Sequence, residues 1–201
     1  MPAAPVAGII LAAGASARMG RPKQLLDWGG RPLVRAVAEA ALAARLAEVL
    51  VVVGAARTDV AAALAGLPLR LVANPAYAAG QSTSLRAGIA ALRPETCAAL
   101  VLLGDQPFVT AAICEALIAA WEQGGALAVA PVYRGRRGNP VLFDRAAFPA
   151  LLALAGDQGA RAWLSAHAES LQLVPFDDDR PLADIDTPEE YERLQRMMPD
   201  T

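Results

Sequence analysis

VAGIILAAGASARMGRPKQLL, residues 6–26, is the stretch on which the fold turns. Val6 to Leu11 is a near-continuous apolar run, the pattern of a strand covered on both faces. It passes into Ala12–Ala17, which carries almost no side-chain bulk, and then into Arg18 and Lys23. A strand, a small-residue loop and two cations together present backbone N–H groups and positive charge to a phosphate, as in a backbone anion nest. In open α/β sheets, ligands bind beyond the carboxyl ends of the strands, where this loop would lie. The spacing is neither G-x-G-x-x-G nor G-x-x-x-x-G-K-[ST], so the dinucleotide and P-loop patterns both fail. An ordinary βα turn with a solvated arginine and lysine has the same composition and stays open on these residues alone.

Outward from this stretch, short apolar runs recur at Val49–Val53, Leu69–Val72, Leu100–Leu103 and Leu127–Val132. Between them, Pro32–Leu46 carries Leu33, Val37, Ala40 and Ala44 at helical spacing, and Ala111–Glu122 carries Ile113, Leu117 and Trp121. Strand–helix alternation of this kind predicts a three-layer α/β/α domain with a mostly parallel sheet and right-handed crossovers. YRGRRGNPVLFD, residues 133–144, breaks the pattern and reads as a loop feeding an irregular extra strand outside the parallel order. Thr187 as N-cap, Pro188 at the first helical position and Glu190 three residues after the cap form a capping box for a last helix striped by Tyr191, Leu194 and Met198. No repeat or linker interrupts the chain, so residues 1–201 are expected to form one domain.

The 201 residues are 55% apolar and 19% charged, enough to bury a core and too weakly charged for disorder. A net charge of −2 and a pI near 5.4 give no footprint for a nucleic-acid backbone. No apolar run approaches the ~18 residues of a membrane span. The start, MPAAPVAGIILAAG, lacks a basic leader region and runs straight into the strand pattern, so it does not read as a signal peptide. Cys97 and Cys114 have no second pair and a lone His167 beside them, which excludes a zinc or redox motif and fits a reducing, cytoplasmic setting. Alanine occurs 47 times, inflating the apolar fraction without adding large core side chains. Of 18 basic residues 17 are arginine, and Lys23 is the single lysine. As an exposed-loop residue it is expected to contribute little to stability.

Carboxylates complete the candidate chemistry. Asp105 in VLLGDQPFVT falls at the end of the fourth apolar run, with Pro107 stopping the strand, and so points into the crevice that holds the first loop. A turn or helix-capping aspartate is the alternative, although Thr110 is the better cap for the helix that follows. In LADIDTPEEY, Asp184 and Asp186 are two apart, so an extended segment turns both to one side. Either could instead complement the dipole of the last helix.

LAAGASARMGRPKQLL resembles the LAAGxxxRMGxxK motif of nucleotidyltransferases with a sugar-nucleotide-pyrophosphorylase-like, Rossmann-like fold. The resemblance implies that Leu11, Ala12, Ala13 and Gly14 contact base and ribose while Arg18 and Lys23 neutralise phosphate. DQP resembles the DxP motif whose aspartate binds Mg²⁺, here Asp105, and LADIDTPEEY resembles the DxDTPEDY ending of molybdenum-cofactor cytidylyltransferases, in which Asp186 matches the second metal carboxylate. NPAYAAGQSTSLRAGIAAL resembles the segment that closes over base and ribose, carried by Asn74, Gly80, Ser82 and Ser84; helix capping is the alternative for the two serines.

RRGNPVLF and LAGDQGARAWL resemble RGHPvlF and GDxGAR of the same group, which implies that Arg137, Asn139, Asp157 and Arg161 face the acceptor. Asn139 stands where that group has histidine, and cannot titrate near neutral pH. The resemblance runs from Ile10 to Tyr191. It implies Mg²⁺-dependent transfer from CTP to the phosphate of molybdopterin, with Arg18, Lys23 and Asp105 catalytic and a molybdoenzyme or its chaperone as protein partner. A sugar-phosphate or methylerythritol-phosphate acceptor, or a non-catalytic cofactor-delivery role, are the alternatives.

Overall fold

The computed structural model describes residues 4–16, 19–157 and 159–198. Three apolar runs form the centre of the sheet: β1 (Val6–Ala12), β2 (Glu48–Val53) and β4 (Ala98–Leu103). β1 lies between β2 and β4 and pairs in parallel with both. β3 (Arg70–Ala73) extends the sheet in parallel beyond β2. The irregular segment becomes β6 (Arg136–Arg137) and β7 (Val141–Asp144), and β7 runs antiparallel between β4 and β5 (Ala128–Tyr133). β6 pairs antiparallel with the far end of β5, and β8 (Leu171–Phe176) lies parallel along the other edge of β5.

Alternation along the central strands explains the three layers. Ile10, Val51, Leu100 and Leu102 point to one face, covered by α1 (Leu33–Leu42) and α4 (Ala111–Glu122). Ile9, Val52, Val101 and Phe143 point to the other, under α3 (Gln81–Ala90), α5 (Phe148–Leu152) and α6 (Arg161–Ala166). Because both faces are covered, the sequence shows continuous rather than alternating apolar residues. The abundance of small residues has a packing use here. A Cβ on Gly88 of α3 would stand 2.5 Å from Ile9 Cγ2, so the helix rides directly on the sheet. β3 departs from the expectation of a strand covered on both faces: Arg70, Leu71 and Ala73 are exposed, because an edge strand has no neighbour to fold over it.

Thr110 caps α4 by accepting from Ile113 N, and α7 (Pro188–Gln195) carries the capping box of Thr187 and Glu190. α1 is shorter than the apolar periodicity implied, ending at Leu42. The helix expected around the two serines is α3, and α2 (Arg57–Ala63), α5, α6 and β8 are elements that the sequence reading does not include. A third apolar cluster joins Met19, Leu26, Trp28 and Leu33 to Ile185 and Leu194, so the C-terminal segment packs back on the first loop. Among the described residues no helix is long and apolar enough to cross a membrane.

The two cysteines sit in different environments. Cys114 is wholly buried, and burial pushes its thiol up to about 12, whereas Cys97 is partly exposed. A thiol reagent at pH 8 is therefore expected to modify one cysteine in the native protein and the second only after unfolding. Two equally fast modifications under native conditions would contradict this packing.

Candidate active site

β1 and β4 are neighbours, so the loops leaving their carboxyl ends open on the same edge of the sheet. Gly104 N donates to Leu11 O at 3.0 Å, holding the two loops together. The first loop is laced from inside by Gln24, only 2% exposed. Its Nε2 donates to Gly14 O at 3.0 Å and to Ala12 O at 3.4 Å, while its Oε1 accepts from Ser16 Oγ at 3.3 Å. Ser16, with φ at +53°, in turn accepts from Lys23 N at 3.0 Å. Lys23 opens a short 3₁₀ turn, Lys23–Leu25, and its ammonium is thereby aimed across the crevice.

There it meets both candidate carboxylates. Lys23 Nζ lies 2.5 Å from Asp105 Oδ2 and 2.8 Å from Asp186 Oδ1. The side chains of Lys23, Asp105 and Asp186 are 15%, 17% and 25% exposed. Burial alone would lower the Lys23 ammonium, but the two carboxylates outweigh it and hold it above the usual lysine range. Asp184, exposed at the surface on the same segment, is shifted upward by partial desolvation and by the charges of Asp105 and Asp186. The aspartates are placed by Ile185, whose side chain is fully buried in the third cluster and whose N–H donates to Asp105 O at 3.2 Å. Glu190 Oε2 accepts from Asp186 N and Thr187 N, each at 3.0 Å, so the capping box also fixes the aspartate's backbone.

Two adjoining cavities lie on this side of the sheet, and Lys23 and Asp105 line the larger of them. One, of about 500 Å³, is lined by Leu11, Ala13, Gly14, Lys23, Gly80, Ser84, Asp105 and Asp157. The other, of about 180 Å³, is lined by Arg137, Asn139 and Arg161 over an apolar floor that includes Leu85, Val141 and Phe143. Leu11, Gln81 and Leu103 line both. The larger cavity holds a cation beside small residues and backbone; the smaller pairs two guanidiniums with an apolar floor, a combination suited to a flat anionic molecule. Gly80 closes the wall between two loops. Its φ is +109°, and a Cβ there would lie 2.2 Å from Asp157 Oδ1 and 2.7 Å from Gly156 O, so neither the conformation nor the space admits a side chain.

Not every sequence-derived candidate reaches these two cavities, and Asp184 and Asp186 line neither. Asn74 is buried and spends its amide inside the protein, donating to Thr83 Oγ1 at 2.8 Å and Ser84 Oγ at 3.0 Å and accepting from Ala76 N at 3.0 Å. Ala12 and Ser82 are buried and line neither cavity, while Ser84 does reach the larger one. Capping of α3 by Ser82 or Ser84 is not realised: the helix starts at Gln81, with Gly80 at the cap position. Asp157 lines the larger cavity rather than the one containing Arg137 and Arg161. Arg18 lies outside the described residues. Gln24, Ile185 and Gln81 emerge only in three dimensions. Gln24 follows the single lysine directly and Ile185 sits between two aspartates, but nothing in either residue type marks its bracing role.

The donor set fits a hard divalent ion. Two carboxylate oxygens converge on one cationic point, and such oxygen ligands suit Mg²⁺ or Mn²⁺. Among the described residues, no three His, Cys, Asp or Glu side chains are gathered closely enough to hold an ion unaided. One or two carboxylates completed by substrate phosphate oxygens and water is the usual Mg²⁺ arrangement at phosphate-transfer sites.

Comparison with known proteins identifies the family. A family model described as the MobA-like NTP transferase domain matches residues 8–171. Nicotine blue oxidoreductase of Paenarthrobacter nicotinovorans is 35% identical over 94% of this chain and 96% of its own. The molybdenum cofactor cytidylyltransferase of Escherichia coli K12 is 29% identical over 68% of this chain and 69% of its own. The manganese complex of Rv0371c from Mycobacterium tuberculosis H37Rv superposes with a TM-score of 0.82 at 27% identity, covering 96% of this chain and all of that one. With the matched region spanning the first loop, Asp105 and the segment that carries Arg137 and Arg161, the chain belongs to the MobA-like NTP transferase domain family.

Proposed function

We propose that the protein, as a single unit over residues 1–201, transfers the cytidylyl group of CTP to the phosphate of a molybdopterin-type acceptor and releases pyrophosphate. The observation that carries this reading is the convergence of Asp105 and Asp186 on Lys23, with Lys23 and Asp105 lining the larger cavity. An oxygen of the acceptor phosphate attacks the α-phosphorus, and the bond to the bridging oxygen of the β-phosphate breaks, leaving with its electron pair on pyrophosphate. No covalent enzyme intermediate is needed, so positioning and charge stabilisation supply the rate.

Asp105 and Asp186 would hold Mg²⁺, which when bound polarises the phosphoryl oxygens and neutralises charge on them. Lys23 offers its ammonium to the triphosphate as negative charge shifts towards the leaving group. Backbone at Ala13 and Gly14, open to the larger cavity, and Ser84 receive the nucleoside. Arg137 and Arg161, which make no ion pair among the described residues, orient the anionic acceptor in the smaller cavity. Gln81 stands at the boundary between the two substrates. The product would pass to a molybdoenzyme or its chaperone.

The test is pyrophosphate release with each nucleoside triphosphate against molybdopterin, sugar-phosphate and methylerythritol-phosphate acceptors. Ala13 in LAAG, where the related guanylyltransferases read LAGG, leads to an expected preference for CTP over GTP in kcat/KM. A reversed ratio sinks the cytidylyl assignment, and turnover confined to another acceptor sinks the pterin. Oxidoreduction is a second reading favoured by the name of the 35%-identical relative. Turnover of a nicotinamide or flavin donor without pyrophosphate release would establish it.

A further inference from the structure

We infer that Lys23 is also the resident counter-cation of the two candidate metal carboxylates, and that a divalent ion takes its place there when the lysine turns to the triphosphate. The inference rests on the metal assignment made above and extends it to the order of charge at the site. Nζ stands 2.5 Å from Asp105 Oδ2 and 2.8 Å from Asp186 Oδ1. An ion bridging the same two oxygens at the ~2.0–2.1 Å typical of Mg²⁺ would occupy nearly the same point. The two cations cannot share it, since they would overlap and repel at contact distance.

The surroundings fit an exchange of this kind. Two carboxylates, Asp105 and Asp186, 17% and 25% exposed, converge on one point, and the Lys23 ammonium offsets the repulsion between their like charges. Lysine supplies a compact ammonium on a flexible four-carbon stem, able to be re-aimed where a planar guanidinium could not. Its backbone is held by the bonds from Lys23 N to Ser16 Oγ and from Leu26 N to Lys23 O, so the side chain can turn while the loop keeps its shape. Lys23 already lines the larger cavity, into which a triphosphate would bring the alternative anionic partner.

Two consequences follow from linkage. The free enzyme binds the metal weakly, because the ion must first displace an ammonium. Nucleotide and metal then favour each other's binding, because each relieves the charge that the other creates.

The experiment is direct Mn²⁺ binding to the full chain without nucleotide, read from the electron paramagnetic resonance of free Mn²⁺, with circular dichroism confirming the fold. Lys23→Ala and the near-isosteric Lys23→Met are both expected to tighten Mn²⁺ binding by about tenfold or more, the scale of removing a directly competing charge. Lys23→Arg keeps the charge and is expected to stay weak. Unchanged or weaker binding in folded Lys23→Ala or Lys23→Met overturns the exchange. Asp105→Asn separates this failure from that of the metal site itself. Mn²⁺ binding that survives Asp105→Asn removes the site and the inference together. Binding lost in Asp105→Asn yet not tightened by loss of the lysine charge overturns the exchange alone.

Discussion

Asp105→Asn is expected to lower Mg²⁺-dependent kcat by about a thousandfold or more, the kinetic equivalent of roughly 4 kcal/mol, while the fold survives. The substitution exchanges one oxygen for an amide nitrogen and removes the negative charge at the point where Asp105 Oδ2 and Asp186 Oδ1 converge. The bond that Ile185 N donates goes to the backbone oxygen of residue 105 and is untouched. Lys23 retains Asp186 as a partner at 2.8 Å, so the thermal midpoint should move by no more than a few degrees. Pyrophosphate release across an Mg²⁺ titration, together with a melting curve, checks both parts. Near-wild-type turnover at saturating Mg²⁺ would take Asp105 out of the metal site.

The second large effect is that of Lys23→Ala on catalysis. Its kcat/KM for CTP is expected to fall by roughly tenfold to a thousandfold, the range for losing one electrostatic donor to the transition state. Lys23→Arg should recover only part of this, because a planar guanidinium does not replace a compact ammonium against phosphate. Stability is where the structure revises the sequence-based expectation. An exposed-loop lysine would leave the thermal midpoint unchanged, but the Lys23 side chain is 15% exposed and bonded to two carboxylates. Its loss removes the ammonium that bridges Asp105 and Asp186. Breaking a fully buried pair costs about 3–5 kcal/mol, and this cluster is partly open to the crevice, so about 1–3 kcal/mol is expected. For a chain of this length that is a fall of about 2–12 °C in the absence of divalent metal. Added Mg²⁺ should restore most of it, by supplying the missing positive charge. An unchanged midpoint in chelator, or one that Mg²⁺ does not raise, would show that the carboxylates do not depend on the lysine for compensation.

Local periodicity and local capping made much of the architecture legible. β1, β2 and β4 are strands because their apolar residues are continuous, and they are continuous because helices cover both faces. α4 begins at Ala111 and α7 at Pro188 because Thr110 and Thr187 satisfy orphan N–H groups at those points, a requirement met within four residues of chain. The segment around Arg137 and Pro140 announced a break in the parallel order, and β7 enters antiparallel between β4 and β5. The short elements were not legible. α2, α5 and α6 have five to seven residues, too few to display a helical period, and β8 is an edge strand whose side chains stay partly exposed.

Motif spacing by itself determined which residue types were available for chemistry: the single lysine, the aspartate at a strand end, the paired aspartates before a capped helix, and the arginines beyond the irregular segment. Tertiary structure alone decided which of them meet. Lys23 and Asp186 are 163 positions apart and become partners only because Ile185 and Leu194 bury against Met19, Leu26 and Trp28. Asn74 and Ser84 appear equivalent in the sequence, yet Asn74 is consumed in bracing the start of α3 while Ser84 reaches the cavity. Gln24 is an unremarkable polar residue until its amide is seen to saturate the carbonyls of Ala12 and Gly14 from inside the loop. The division has a physical cause. Secondary structure and caps answer to interactions within a few residues, which the order of the chain displays, whereas charge compensation and hydrogen-bond saturation depend on what long-range burial happens to bring within 3 Å.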